Sequence, residues 1–483
     1  MNTKLLISGS WTDSSDKRIF QRVHPVSDEV VTRCADAAVE DAKRAAQAAQ
    51  NAFAYWSATG PSERRRLLLK VAEVLESKAP EFIGVMAKEV GASALWAGFN
   101  VHQSANVFRE AASLATQIQG ETIPTDKPAT LSMTLRQPVG PILSIVPWNG
   151  TVVLAARAIA YPLVCGNTVV FKGSEFSPAT HALVARCVQE AGLPDGVLNY
   201  LNSSVERSPE ITEALIAAKE IRRINFTGST RVGRIVAQKA ALHLKRCLLE
   251  LGGKSPLIVL EDADIDAAVK AAVFGSFLFQ GQICMSTERL VVDEEIADEF
   301  VAKFVEKTKN LSAGDPCASG DCIVGPMVSP NSGKRINAMY NDAIEKGAKV
   351  VCGGLADGAV MPATILDHVT ADMQIYDEET FGPITVIIRC KGEEDAIRIA
   401  NDSSYGLSSG IFGRDVNRAL RVGMAIECGA VHINGSTVQN EAQAPYGGTK
   451  NTGYGRFDGR AVIDEFTELK WLTIEPFNQQ YPF

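Results

Sequence analysis

Three polar side chains occupy positions in the sequence where covalent and acid–base chemistry is conceivable. Cys284 ends an apolar run that begins at residue 277, and it comes just after Gly281 and Gln282. Glycine permits the sharp turn that a loop needs to expose a thiolate, so this stretch fits a nucleophilic cysteine. Taken alone, a cysteine in an apolar run is more often a small buried core residue.

Glu250 and Asn149 offer the groups that would assist such a nucleophile. Glu250 lies between Leu249 and Leu251, just before two glycines. A carboxylate held in an apolar pocket has a raised pKa and can take a proton from water, whereas a glutamate at a strand edge is merely solvated. Asn149 ends a predicted strand and precedes a helix, so its side chain either caps that helix or donates an amide N–H to a developing oxyanion.

Short apolar strands alternate with helices from residue 141 onwards. The strands of the first series are 142–146, 168–172, 197–201 and 222–226, and the second series includes 256–260, 289–292 and 383–388. This alternation predicts two α/β domains with parallel sheets, and a ligand cleft at the carboxyl ends of their strands. Before residue 100 the pattern predicts mainly helix, with Ser62 capping a helix that runs to about Ser77.

Two strand-like segments belong to neither series. Residues 130–136 are isolated, and residues 468–474 alternate in strand fashion near the end of the chain. Because unpaired strands can pair with another chain, these segments predict contacts between subunits.

Composition and charge exclude several classes of protein. Ten cysteines dispersed over 483 residues do not form a disulfide scaffold. Cys317 and Cys322 are the only close pair, and with no histidine near them in sequence we expect no metal site. The net charge of −8 argues against a nucleic-acid partner. The apolar stretch 151–165 is too short for a membrane span, and the N-terminus lacks a secretory signal, so we expect a cytoplasmic protein.

Three motifs follow one another along the chain: Pro147-Trp148-Asn149, then Glu250-Leu251-Gly252-Gly253-Lys254, then Gly281-Gln282-Ile283-Cys284. In this order, and with this separation of Glu250 from Cys284, they resemble the signatures of the aldehyde dehydrogenase superfamily. The similarity continues through 171–175, 226–230, 378–383 and 445–450, and so covers nearly the whole chain. Ser286 departs from the family, which usually has alanine or a similarly small residue there.

The resemblance implies a fold of two parallel-sheet α/β domains, a Rossmann-like NAD domain and a catalytic domain, with a small β-extension for oligomerisation. By this reading the NAD-binding domain comprises 1–118 and 140–250, and the catalytic domain 251–460. Segments 119–139 and 461–483 would hold a homodimer or a homotetramer together.

The resemblance also implies a mechanism. Cys284 would attack the aldehyde carbon, while the Asn149 amide and the Cys284 N–H hold the oxyanion. Hydride would then leave for the nicotinamide, and Glu250 would activate the water that hydrolyses the thioester. Three rival functions remain at this point: a dehydrogenase that passes the acyl group to CoA, a cysteine esterase, and a binding protein without activity. CoA-acylating members generally lack the base, and inactive relatives generally lack the nucleophile.

The cofactor implied by the resemblance is NAD. A carboxylate beside the adenine ribose accepts hydrogen bonds from a diol but repels a 2′-phosphate, which favours NAD over NADP. The residues carried over are Lys172 and Glu175 at the adenine ribose, Gly228, Ser229 and Trp148 at the pyrophosphate, and Glu379 with Phe381 at the nicotinamide ribose.

Within the superfamily, stretches 91–100 and 434–443 resemble members that oxidise aromatic aldehydes. The substrate expected is therefore aromatic, with salicylaldehyde favoured and a broader benzaldehyde or vanillin range as the alternative. Trp96, Phe99 and Tyr446 would form an aromatic slot, and Arg157 would reach a ring hydroxyl. Each of these four side chains could equally be ordinary packing or part of a buried ion pair.

Overall fold

Two parallel sheets dominate the computed structural model, which describes residues 1–320 and 322–483. The first sheet has eight strands among these residues, five of them parallel. From edge to edge they are Gly453–Tyr454 (β21), Arg246–Glu250 (β11), Arg223–Thr227 (β10), Ile142–Ile145 (β7), Val169–Lys172 (β8), Leu198–Leu201 (β9), Leu5–Ile7 (β2) and Ser10–Thr12 (β3).

Helices cover both faces of this first sheet. Every residue of β7, β8, β9 and β10 is buried, as expected for central strands of a parallel sheet with helices on both faces. The helices are Val39–Ala58 (α1), Pro61–Ser77 (α2), Ala79–Val90 (α3), Ala94–Leu114 (α4), Thr151–Val164 (α5), Pro178–Glu190 (α6), Ser208–Ala217 (α7) and Thr230–Ala241 (α8).

The second sheet has seven strands in the described part of the chain, six of them parallel. In spatial order they are Lys349–Cys352 (β14), Thr364–Asp367 (β15), Ile384–Cys390 (β16), Thr287–Asp293 (β13), Ser255–Val259 (β12), Ser408–Phe412 (β18) and Ala430–Ile433 (β19). Its helices are Ile265–Phe277 (α9), Ala297–Thr308 (α10), Pro330–Glu345 (α11), Gln374–Asp377 (α12), Gly392–Asn401 (α13) and Val416–Met424 (α14). The predicted α/β class with two parallel sheets is confirmed.

The two strand-like segments outside the sheets pair with each other. Leu131–Pro138 (β6) and Thr467–Ile474 (β22) form an antiparallel ribbon. The short helix Val462–Phe466 (α15) comes directly before β22. The sequence prediction left both segments unpaired within the chain. It missed their pairing because more than 300 residues separate them, so no local pattern reveals the register.

The first 35 residues differ from the mainly helical prediction. Asn2–Thr3 (β1), Ile19–Val23 (β4) and Val30–Ala35 (β5) form a small separate sheet, while β2 and β3 extend the first one. The cap of α2 is Gly60, with Pro61 as the first helical residue, and not Ser62. Proline is well suited to that position because its missing N–H would have no partner there.

The strand β21 joins the edge of the first sheet, although the sequence prediction assigned residues 251–460 to the second domain. The remaining short strands, Tyr405–Gly406 (β17) and Thr449–Lys450 (β20), pair beside it. In the described residues, no helix is both long and apolar enough to cross a membrane.

Candidate active site

Cys284 lies in a tight loop between α9 and β13. Phe279 and Gln280 have left-handed backbone (φ 48° and 56°), followed by Gly281 at φ 67°. A Cβ on Gly281 would lie 2.2 Å from Gly382 O, so only glycine fits this turn. The Gln280 amide donates to the backbone oxygens of Gly91 (3.2 Å) and Pro326 (2.9 Å), which fixes the loop. The glycine turn predicted from the sequence is present.

Ser286 takes part in the same loop. Its hydroxyl accepts a hydrogen bond from the Ile283 N–H at 3.3 Å, and its side chain is buried. The departure from the small residue usual in the superfamily therefore closes the turn around Cys284.

Asn149 lies directly beside this loop. Its amide Nδ2 donates to Gln282 O at 3.0 Å, and the residue that caps α5 is Gly150. The helix-cap alternative for Asn149 is therefore wrong. The Cys284 N–H has no acceptor within residues 1–320 and 322–483, so this N–H and the second N–H of the Asn149 amide can both serve an incoming oxygen.

Glu250 is the last residue of β11 and is almost completely buried. Burial raises its pKa to about 7, against the charge of Arg157 and hydrogen bonds from Cys284 and Tyr446. Its Oε1 atom has no hydrogen-bond partner in the described residues. A carboxyl group with this pKa can exchange a proton with water or a thiol near neutral pH. The solvated-edge alternative for Glu250 is wrong.

Tyr446 and Arg157 also lie near the thiol. The Tyr446 hydroxyl is 3.0 Å from Cys284 Sγ, and the Arg157 guanidinium carbon lies 4.1 Å from the centre of the tyrosine ring. Arg157 also pairs with Asp458, at 2.7 Å between Nη2 and Oδ2, and both side chains are buried. Arg157 thus forms the buried ion pair given as an alternative from the sequence, and it also lies at the candidate active site.

Two cavities meet at Cys284. The first has a volume of about 470 Å³ and contains Glu250, Ser229, Glu379 and Phe381 in its wall. The second, of about 200 Å³, is walled mainly by apolar side chains. Asn149, Leu154 and Cys284 border both cavities.

Aromatic rings form much of the wall of the second cavity. Trp96, Phe99, Tyr446 and Arg157 all line it, as does Phe274. Trp96 stacks on Phe99, with ring centroids 5.5 Å apart, and its indole N–H donates to Asn149 O at 3.1 Å. The structure thus brings the four predicted slot residues together beside the thiol.

The first cavity contains most of the residues assigned to the cofactor. Ser229 caps α8 by accepting from the Val232 N–H, so the amino end of that helix faces the cavity beside Gly228. Trp148 packs edge-on against Phe381, with centroids 5.7 Å apart. Lys172 ends β8 and Glu175 follows it, both outside the cavity wall, with Lys172 buried and within the electrostatic reach of Glu175.

Glu379 closes the first cavity from the side of the second sheet. Its Oε1 accepts the Gly253 N–H at 2.9 Å, and burial together with the charge of Glu288 raises the pKa of Glu379 to about 8. A buried Lys254–Glu288 ion pair of 2.7 Å supports this region, because Glu288 also accepts the N–H groups of Thr380 and Phe381.

Sequence reasoning missed several residues at the site. Asp458, the partner of Arg157, carries no motif and lies 301 positions away in the chain. Phe279, which stacks on Trp96 at 4.9 Å, resembles any other residue of its apolar run. The unusual Phe-Gln-Gly order before the cysteine is the one local signal that could have indicated a strained loop.

A cluster of His24, Asp315 and Cys317 lies outside the walls of both cavities. His24 Nδ1 accepts the N–H groups of Val26 and Ser27, which leaves the ring proton on Nε2, 3.6 Å from Asp315 Oδ1. A protonated Nε2 has no lone pair to offer, so this histidine is poorly suited to bind a metal.

The chain matches the family model described as "Aldehyde dehydrogenase family" over residues 11–472. It is 84% identical to a salicylaldehyde dehydrogenase of Pseudomonas sp. (strain C18) and 52% identical to a vanillin dehydrogenase of Pseudomonas fluorescens, with 100% of each chain covered. A crystal structure of a salicylaldehyde dehydrogenase from Pseudomonas putida G7, complexed with salicylaldehyde, superposes with a TM-score of 0.99 at 83% identity and full coverage of both chains. The chain belongs to the aldehyde dehydrogenase family.

Proposed function

We propose that the protein oxidises an aromatic aldehyde, salicylaldehyde in the first place, to its carboxylic acid with NAD. The observation that carries this proposal is the position of Cys284, where a polar cavity and an aromatic-walled cavity meet. The salicylaldehyde dehydrogenases that the chain matches along its full length support the choice of substrate.

Cys284 is the nucleophile in this proposal. Attack on the aldehyde carbon gives a thiohemiacetal whose oxygen carries negative charge. The Asn149 amide and the Cys284 N–H are the donors for that oxygen, since both border the thiol and each has an N–H available. Loss of one such donor typically costs about 3 kcal/mol of transition-state stabilisation.

Glu250 is the base that releases the acyl group. Once hydride has left the thiohemiacetal, the product is a thioester on Cys284, which water must hydrolyse. Glu250 is buried beside Cys284, and its Oε1 has no hydrogen-bond partner in the part of the chain that the structure describes. Its pKa of about 7 lets it take a proton from that water.

The first cavity fits a dinucleotide. The N–H groups in the first turn of α8 face it and suit a pyrophosphate, with Gly228 and Ser229 at the turn and Trp148 nearby. Glu379 and Phe381 would hold the nicotinamide ribose. When bound, the nicotinamide supplies a hydride acceptor.

Lys172 and Glu175 would hold the adenine ribose, and Glu175 carries the preference for NAD within a family that generally uses NAD or NADP. A carboxylate there accepts hydrogen bonds from the ribose diol but repels a 2′-phosphate. Glu175→Gln should therefore raise kcat/KM with NADP while lowering it with NAD, and Glu206→Gln, an exposed glutamate, should change neither. Equal use of both cofactors by the unaltered protein contradicts the assignment.

The second cavity is the aldehyde site. Its aromatic walls suit a flat ring, and the Arg157 guanidinium in its wall can attract an ortho hydroxyl group. The site is small, at about 200 Å³, and Cys284 lies in its wall.

We expect a higher kcat/KM for salicylaldehyde and benzaldehyde than for short aliphatic aldehydes. Phe99→Ala should narrow this gap by about 2- to 10-fold, the range expected for loss of one aromatic contact. Tyr55→Ala removes an exposed ring from α1, outside both cavities, and should leave the ratio unchanged. Initial rates of NADH formation with these aromatic and aliphatic aldehydes measure the ratio of kcat/KM values. A preference for aliphatic aldehydes would refute the choice of substrate.

We further propose that 1–118 and 140–250 form the NAD-binding domain, with 251–460 as the catalytic domain. The ribbon of β6 and β22, within 119–139 and 461–483, would hold a homodimer or homotetramer together. Its strand β22 carries Leu469, Trp471 and Ile474 largely exposed, which favours cover by a second copy. A monomeric mass by light scattering would contradict this.

A further inference from the structure

The Tyr446 hydroxyl has a closely defined position relative to the Cys284 sulfur. A side chain that only packed against substrate would not need one. It lies 3.0 Å from Cys284 Sγ, within hydrogen-bonding distance. The backbone of Tyr446 is fixed by two 2.7 Å hydrogen bonds exchanged with Phe457, and the side chain is buried. A hydroxyl held so firmly against the sulfur can act on the thiol itself.

The surroundings of Cys284 otherwise disfavour an anion on the sulfur. Burial and the neighbouring Glu250 raise the pKa of the Cys284 thiol well above its usual value, and Glu379 adds to this effect. The hydrogen bond from Tyr446 acts in the opposite direction. The tyrosine hydroxyl is thus a donor that favours the thiolate.

Arg157 packs against the face of the Tyr446 ring. Its guanidinium lies over the ring at 4.1 Å, a cation–π contact that draws electron density from the phenol and strengthens the hydroxyl as a donor. Burial lowers the pKa of Arg157, but the Asp458 charge outweighs this and keeps the guanidinium protonated. A permanent positive charge therefore lies behind the ring.

We propose that the Tyr446 hydroxyl is a catalytic hydrogen-bond donor that stabilises the Cys284 thiolate, and that Arg157 is a positioning residue that holds and polarises this tyrosine. The S–H proton passes to water in the first cavity, which Cys284 lines, and the sulfur keeps the electron pair. This inference rests on the proposed role of Cys284 as nucleophile. It goes further by giving the tyrosine a task that precedes aldehyde binding.

Alkylation by iodoacetamide measures this task without aldehyde or cofactor. The thiolate forms an S–C bond and iodide leaves, so the rate reports the fraction of thiolate. Mass spectrometry of the peptide that contains Cys284, from pH 5.5 to 10, gives the profile. Cys317 is exposed and provides an internal control in the same sample.

Tyr446→Phe keeps the ring and removes the hydroxyl. We expect it to slow alkylation of Cys284 about 10- to 100-fold near neutral pH, as for a lost hydrogen bond to a charged group, and to move the profile to higher pH. Arg157→Lys, which keeps the charge opposite Asp458 but loses the planar contact with the ring, should act in the same direction by a smaller factor.

Two outcomes overturn the proposal. The first is a Tyr446→Phe profile that superimposes on that of the unaltered protein, because the ring alone then accounts for the residue. The second is an equal slowing at Cys284 and Cys317, because the change is then not specific to the site. Neither outcome affects the role of Cys284 as nucleophile, which its own alanine variant tests separately.

Discussion

Cys284→Ala should abolish NADH formation with every aldehyde while the protein still binds NAD. Without the sulfur, no thiohemiacetal can form, and hydride does not leave readily from a neutral aldehyde. Loss of a covalent nucleophile typically lowers kcat by about 10⁴- to 10⁶-fold. The first cavity touches the thiol only at its border, so the residues assigned to the cofactor keep their positions.

The experiment compares Cys284→Ala with Cys317→Ala, which removes an exposed cysteine that lines neither cavity. Absorbance of NADH gives the rate, and quenching of tryptophan fluorescence gives NAD affinity. The control should keep full activity. Residual turnover above about 1% in Cys284→Ala would show that another group performs the attack. Ester hydrolysis without any NADH from the unaltered protein would instead favour the esterase function.

The sequence predicts the parallel sheets well because their strands are short, rich in apolar residues and separated by helical segments, a pattern that can be recognised without knowledge of the neighbouring strands. The strands β7, β8 and β10 lie where that pattern indicates. Asn149 after β7 and Ser229 after β10 line the same cavity because parallel strands end at the same edge. The N-terminal strands were missed, since short segments such as β1 are defined by their partners and not by their own composition.

Contacts between distant parts of the chain determine the partners of Asn149 and Arg157, which the sequence alone does not reveal. Asn149 has a residue type and position that fit a helix cap, and only the contact with Gln282, 133 positions away, determines its actual partner. The sequence places Arg157 in the substrate slot or in a buried ion pair, but it does not reveal the partner. Its pairing with Asp458 and its stacking on Tyr446 join three distant segments, and no local pattern encodes that meeting.

Glu250→Gln should separate acylation from hydrolysis. Glutamine keeps the size of the side chain but cannot take a proton from water, so the thioester forms and then accumulates. We expect a burst of NADH close to one equivalent per site, followed by turnover about 10²- to 10⁴-fold slower than normal. Stopped-flow absorbance measures both phases. Glu294→Gln, an exposed glutamate directly after β13, is the matched control and should show neither effect.

The pH dependence sharpens the same test. Burial raises the pKa of Glu250 to about 7, so the carboxylate that acts as base is lost as pH falls through neutrality. Steady-state kcat should therefore fall below about pH 7 in the unaltered protein, and Glu250→Gln should lose that inflection. If turnover in the variant resumes after the burst only when CoA is added, the accumulated species is still identified as the thioester. Normal turnover in the variant, in contrast, would mean that water reaches the thioester by another base, and Glu379, which lines the same cavity, would be the next group to test.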